Sequence, residues 1–207
     1  MATEFPMIVK QELKSNLYSV HIDSDIEEPE NYRDLIQLLF MAGEEDEINF
    51  YINSGGGHLD SALAIIEGIK STQAHVRCII LGACHSAASM ISMYCHEMVI
   101  LDSAHSLIHT ASFGSVGNTN NVKAHTDFTV RQVEKFLHNT YDGFLTDHEL
   151  SQVKSGVELW FDAEELRTRI AKRVEYMKKQ QEKEAKEAAK KVKPKSTTRR
   201  TVSESKS

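Results

Sequence analysis

The sequence has no apolar run near the roughly 20 residues that a membrane-spanning helix needs. Its opening, MATEFPMIVKQELKSN, has no basic segment followed by an apolar stretch, so no secretory leader is read there. A soluble, cytoplasmic protein is the expectation. Cysteine is scarce: Cys78, Cys84 and Cys95 stand alone, never in CxxC spacing, which gives neither a disulfide framework nor a zinc ribbon and leaves buried free thiols. GxGxxG and GxxxxGK[ST] are both missing, so dinucleotide-binding and P-loop readings lack their fingerprints. There is no internal repeat of about 20 to 50 residues, which sets solenoids and propellers aside. Positive charge is also scarce in most of the chain. Residues 166–207 hold 15 Lys+Arg against 5 Asp+Glu, a net of +10, and since the whole chain carries −6 the first 165 residues stand near −16. A body of that sign disfavours nucleic-acid binding, which needs clustered Lys and Arg; only the basic tail is suited to an acidic partner.

What is present is enough for one ordinary domain: 207 residues, 41% of them hydrophobic. The pattern alternates short strands with helices. Leu35, Leu38, Leu39 and Ala42 follow Pro29 at three-and-four spacing and stop at Gly43, an amphipathic helix. EINFYINS reads as a strand, and HLDSALAIIEGIKST as a helix with Leu59, Leu63, Ile66 and Ile69 on one face. VRCIILGA is an apolar strand, SAASMISMYC a small-residue helix, MVIL a strand, and SLIHTASFG a strand ending in a loop. Crossovers of helix length predict parallel pairing with right-handed connections, an α/β fold. Over 119–147, Val122, Phe128, Val133, Phe136, Leu137, Tyr141 and Phe144 make an apolar stripe wider than a lone surface helix needs. From about Ala163 the chain is rich in helix formers but nearly without apolar residues after Met177, and Pro194 ends it. The expected division is 1–165 as the folded domain, 166–192 as a Lys/Glu-rich helical extension and 193–207 as a basic, disordered tail.

Four places can carry chemistry. SGGGH puts three glycines, Gly55, Gly56 and Gly57, between a strand and a helix, where outward-facing backbone N–H groups suit an anion and a tight turn is the alternative. LGACHSAASM puts Ser86 at a strand-to-helix turn, a place that exposes a hydroxyl, although Ser86, Ser89 and Ser92 also sit three apart as small residues permitting close packing, and the GxSxG elbow is missing. SAHSLIHTA puts His109 at a strand end as a possible general base. Seven of the other histidines, His21, His58, His75, His96, His125, His138 and His148, read as surface or satisfied residues, while His85 and His105 do not dismiss so easily. GVELWFDAEE places Glu158 near the only tryptophan, with Asp162 as a helix N-cap.

These segments, in this order, resemble a known family. YINSGGG looks like YINSPGG, GACHSAASM like the G-x-A-A-S nucleophile turn, LDSAHSLIH like LPNSxxMIH, and ELWFDAEEL like DxFLSAxEA; the spacings of 29 residues from Gly57 to Ser86 and 49 from His109 to Glu158 also match. Over about residues 15 to 165 the chain resembles the Clp-type serine peptidases, the ClpP family. The resemblance implies a ClpP/crotonase-type superhelix of repeated β-β-α and βαβ units, with residues 119–147 as a protruding handle helix. It implies a serine endopeptidase with Ser86 as nucleophile, His109 as general base, Glu158 as third member, and the amides of Gly57 and Ala87 as oxyanion donors. Gly56 and His58 fall on substrate-binding positions. Asp162 is a rival for the third place; Ser89 is not favoured as nucleophile, because it lies seven residues after Gly82 where the family has four.

The resemblance further implies no metal or organic cofactor, two stacked heptameric rings, unfolded protein or peptide substrates, and an ATP-driven AAA+ unfoldase as partner. Departures are Gly55 for proline, His85 for alanine, Thr110-Ala111 for Gln-Pro, and a long charged ending in place of Gly-Leu-Val-Asp, which is closer to members encoded by bacteriophages. Two other readings compete: a ring-forming scaffold that has lost efficient peptidase activity, and a crotonase-like acyl-CoA enzyme, which needs the paired amides but not Ser86 and His109 together.

Overall fold

The computed structural model describes residues 15–192, so the tail expected at 193–207 lies outside the described residues. The elements, in order, are β1 (Leu17–Ile22), a 3-10 turn (Pro29–Tyr32), α1 (Arg33–Met41), β2 (Glu47–Ser54), α2 (Leu59–Ser71), β3 (His75–His85) and α3 (Ala87–Ser92). They continue with β4 (Glu97–Ile100), β5 (His105–Ile108), α4 (Thr119–Tyr141), α5 (Asp147–Lys154), β6 (Leu159–Asp162) and α6 (Ala163–Val192). The architecture is mixed α/β, a central sheet with helices, as expected. Strands run in the order β1-β2-β3-β5-β6 with β4 also paired to β3. The first three crossovers contain helices and join parallel strands, because a parallel return requires a connection of that length.

Strand β3 is long enough to serve two neighbours. Its first half, Arg77–Ile80, pairs with β4, and its end, Ala83–His85, pairs with β5. Two strands, β1 and β6, carry no strong pattern and were not expected. β6 also runs antiparallel to β5, correcting the all-parallel expectation. Its four residues return the chain directly into α6, with Asp162 capping that helix as read from the sequence: its Oδ1 accepts from the Glu165 amide at 2.9 Å.

The core lies on one face of the sheet. Ile48, Phe50 and Ile52 of β2 and Val76, Cys78 and Ile80 of β3 are buried at period two, as half-covered strands require. Each large side chain there stabilises by about 1.5–3 kcal/mol. Helices α1 and α2 lie close enough that a Cβ on Gly68 would come within 2.8 Å of Leu39 Cδ1, so Gly68 is what lets them approach. On α2 the buried residues include Ile65, Ile66 and Ile69, whereas Leu59 and Leu63 turn toward a cavity.

The wide stripe over 119–147 resolves into two helices. α4 stops at Tyr141, Gly143 takes a positive φ of 72°, and Thr146 opens α5 with a reciprocal capping box to Glu149. Only its last three turns, from Val133, contain buried residues; Phe128 is 54% exposed. Two arginines of α6 fasten these pieces. Arg173 donates to the carbonyls of Met93, Thr140 and Asp142, serving the C-terminal ends of both α3 and α4. Arg169 grips Glu149 with two nitrogens at 2.6 and 3.1 Å, meets Glu165, and lies over the Phe161 ring at 4.7 Å. α6 is one continuous helix from Ala163, so it begins inside the segment assigned to the folded domain. Among the described residues no helix is long and apolar enough to cross a membrane.

The Arg169 hydrogen bonds, with Thr146 adding to them, hold the Glu149 carboxyl down at about 2 from its ordinary 4.5. A depressed carboxyl stabilises the fold above its unfolded value and loses that contribution as pH falls through its folded one. Glu149→Gln is therefore expected to cost about 1–2 kcal/mol near neutral pH. In thermal melts the gap between wild type and variant should narrow as pH falls from 4.5 toward about 2.

Candidate active site

The site begins with a bulge. Ile52 pairs with Ile80 but Ser54 pairs with Cys84, so β3 gains two residues relative to β2. Asn53 Oδ1 fills the gap by accepting from the Ala83 amide at 3.0 Å, and Gly82 is small because a Cβ there would sit 2.7 Å from that oxygen. The detour carries His85 and Ser86 across the glycine turn after β2.

Ser86 links β3 to α3 at φ 51° and ψ −122°, and among the described residues it is the one non-glycine with positive φ. That backbone is costly for an L-residue and persists only where its surroundings hold it. Here the Ser86 amide donates to Leu107 O at 2.8 Å, and its carbonyl accepts from the Met90 amide at 3.1 Å and from Ser89 Oγ at 2.8 Å. Gly56, at φ +97°, backs the turn; a Cβ on it would lie 2.7 Å from Ser86 Cβ. Gly56 is thus buried behind Ser86 and does not line the cavity, unlike its expected place beside substrate.

His109 follows β5 and turns its Nε2 to Ser86 Oγ at 2.8 Å. With the ring proton on Nδ1, Nε2 accepts from the hydroxyl. Two amides stand beside the pair. Ile26 forms a bridge to the glycine turn by donating to Gly56 O and accepting from the His58 amide, both at 2.7 Å. The flanking residues are consumed, so the Gly57 amide between them points the other way. Ala87 is the first residue of α3, where an amide has no intrahelical partner. Gly57, Ala87, Ser86 and His109 all line one cavity.

The register of β5 and β6 ends at Ile108 opposite Leu159, which brings the next residues, His109 and Glu158, to adjacent places. Glu158 is exposed there, and among the described residues the side-chain hydrogen bonds of His109 reach Ser86 alone. Asp162, the rival, is opposite His105 and spends its carboxylate on the α6 cap. His58 lines the cavity at the start of α2, its Nε2 3.2 Å from Glu28 Oε2. Ser89 is fully buried and bonded on both sides, so it offers no hydroxyl to the cavity.

His85 lies on the outer face of the sheet, its ring 4.9 Å from His105 and 5.3 Å from Trp160. Burial, and then the neighbouring His105 and His109, push its imidazole below the ordinary histidine range, so this departure adds no charge next to Ser86 at neutral pH. The cavity, about 930 Å³, continues past Ser86 between Leu63, Met90, Val133, Phe136, Leu137 and Tyr141. Its wall was not legible as such: the α4 residues read as a stripe awaiting a partner, and their inner members face Ser86 within the same chain. Among the described residues no cluster of three His, Cys, Asp or Glu side chains is arranged for a metal ion.

A serine hydroxyl in hydrogen-bond contact with a histidine at the ends of two neighbouring strands, on a cavity that Gly57 and Ala87 also line, agrees with the likenesses to known proteins. The family model described as Clp protease matches residues 9–168. The ATP-dependent Clp protease proteolytic subunit of Leuconostoc citreum is 30% identical over 104 residues, 48% of this chain and 52% of that protein. The ATP-dependent Clp protease proteolytic subunit 3 of Streptomyces avermitilis is 30% identical over 134 residues, 61% of this chain and 59% of that protein. The chain thus spans between half and three-fifths of the length of these curated relatives. Both are bacterial, and these matches lend no support to the bacteriophage origin expected from the charged ending. Sequence match, α/β sheet and strand-end site agree: the chain belongs to the Clp protease family.

Proposed function

We propose that this chain is a serine endopeptidase of the ClpP type, and the observation that carries the reading is the 2.8 Å approach of His109 Nε2 to Ser86 Oγ in a turn strained to present that hydroxyl. Ser86 Oγ attacks a peptide carbonyl while His109 takes its proton. The carbonyl oxygen, now negative, accepts from the Gly57 and Ala87 amides. Collapse of the tetrahedral intermediate breaks the C–N bond, His109 returns the proton to the leaving amine, and water repeats the sequence on the acyl-enzyme. Glu158 orients the imidazole from its place opposite His109 in the ladder, moving inward to do so when substrate or assembly covers it. The apolar cavity takes the side chain preceding the cleaved bond, and His58 borders the peptide path.

The family reading extends to two stacked seven-membered rings, unfolded polypeptide as substrate, a AAA+ unfoldase that feeds it, and a cytoplasmic location. Exposed apolar side chains on α4 (Phe128, Val130) and α1 (Phe40, Met41) support association with further copies. One observation favours a second reading, a scaffold with weak activity: Glu158 is exposed and, among the described residues, makes no side-chain hydrogen bond to His109.

A fluorophosphonate probe followed by intact-mass detection separates the two. Wild type is expected to gain one adduct, lost in Ser86→Ala and His109→Ala but kept in Ser89→Ala, with oligomer size unchanged throughout. A well-assembled wild type that takes no label would establish the scaffold reading. Glu158→Gln should slow peptide hydrolysis about 10- to 100-fold, less than removal of a pre-bonded triad acid. Gly57→Ala should abolish labelling and lower stability by at least about 2 kcal/mol, because its φ is +143° and its Cβ would press on the backbone oxygen of Ile26.

A further inference from the structure

Ser89 is a serine that the catalytic scheme does not use, yet it is fully buried and fully bonded. Its Oγ donates to the Ser86 carbonyl at 2.8 Å, and the same Oγ meets Tyr141 Oη at 2.5 Å. A serine hydroxyl has one proton, and the carbonyl can only accept. The Ser89 proton is therefore committed to Ser86, and Tyr141 must be the donor to Ser89. This gives a directed chain from the last residue of α4, through Ser89, to the residue that bears the nucleophile. Aligned bonds of this kind polarise and strengthen one another in a buried setting.

The far end of the chain is held as well. Tyr141 is 2% exposed, and Arg173 fixes the neighbouring Thr140 and Asp142 carbonyls. The near end is the strained peptide of Ser86, whose φ of 51° needs external restraint. Tyr141 also lines the cavity beside Ser86, so its ring touches the space for a substrate side chain while its hydroxyl faces the turn.

We propose that Tyr141, acting through Ser89, is a positioning residue for Ser86: the hydroxyl chain holds the nucleophile turn in its attacking conformation and ties that conformation to the end of α4. The inference rests on the assignment of Ser86 as nucleophile. Removing the Tyr141 hydroxyl leaves the ring that lines the cavity. Binding should therefore persist while acylation slows.

The test is a double-mutant cycle on the full chain: wild type, Tyr141→Phe, Ser89→Ala and the double variant, with oligomer size, melting temperature and fluorophosphonate acylation measured on each. Saturation kinetics separate the apparent binding constant from the limiting acylation rate. The expected result is a limiting rate reduced about 10-fold in each single variant, no further in the double variant, and a binding constant within about twofold of wild type. Adding the two losses, or finding wild-type rates in variants with lowered melting temperature, would show that the pair only packs and would overturn the inference while leaving Ser86 as nucleophile. A wild type that labels elsewhere than Ser86, or does not label, would remove the inference together with the functional assignment. Should Tyr141→Phe fail to assemble, Ser89→Ala alone decides: a wild-type limiting rate rejects the chain.

Discussion

The structure depends on keeping one serine in a backbone conformation that serine disfavours. Ser86 at φ 51° sits where a strand ends and a helix begins, and several features serve that place. The bulge after Ile52 lengthens β3 so that the turn reaches the glycines, and Gly56 has no side chain to strike Ser86. β5 anchors the amide of Ser86 and, two residues after Leu107, delivers His109 to its hydroxyl. Strain at one residue is thus held by two strands, a helix and a turn, and the result is a hydroxyl and an imidazole in contact on a cavity that Gly57 and Ala87 also line.

The remainder of the chain acts at a distance by fixing helix ends. Arg173 joins the C-termini of α3 and α4 through their carbonyls, and Arg169 ties α5 to α6 through Glu149. The first places the floor of the cavity and the second places the antiparallel return of β6, since Arg169 also covers Phe161. Both arginines come from α6, so its first three turns belong energetically to the folded body. Beyond Met177 the sequence offers the helix little apolar surface, and through residue 188 its charged side chains are exposed.

The strands and helices with strong periodicity were legible in the sequence. β2, α2 and β3 alternate or recur over enough residues for one face to show, and the strand-turn-helix placement of Ser86 and the strand-end placement of His109 followed from them. β6 was not legible: four residues, LWFD, have no room for a pattern, and the sense of pairing is a long-range fact that local sequence does not hold. The stripe over 119–147 misled in extent, because apolar spacing continues through Phe144 while the break is made by Gly143 and the Thr146–Glu149 box. Helical periodicity alone does not separate Ser86 from Ser89, as both lie on one face of the same short segment, and only the interval from Gly82 in the family resemblance favours Ser86. Burial separates them: one hydroxyl meets a histidine in a cavity, and the other is enclosed by Tyr141 and a carbonyl.

In the proposed function Ser86, His109 and the amides of Gly57 and Ala87 form one acyl-transfer centre. A crystal structure of the protein reacted with a peptide boronic acid tests it most directly, because the tetrahedral boron stands in for the carbon of the attacked carbonyl. The expected result is a bond from boron to Ser86 Oγ, one boron-bound oxygen within hydrogen-bond distance of both amides, and the leading side chain in the cavity toward Tyr141. A boronate attached elsewhere, or one on Ser86 whose oxygens avoid both amides, would contradict it.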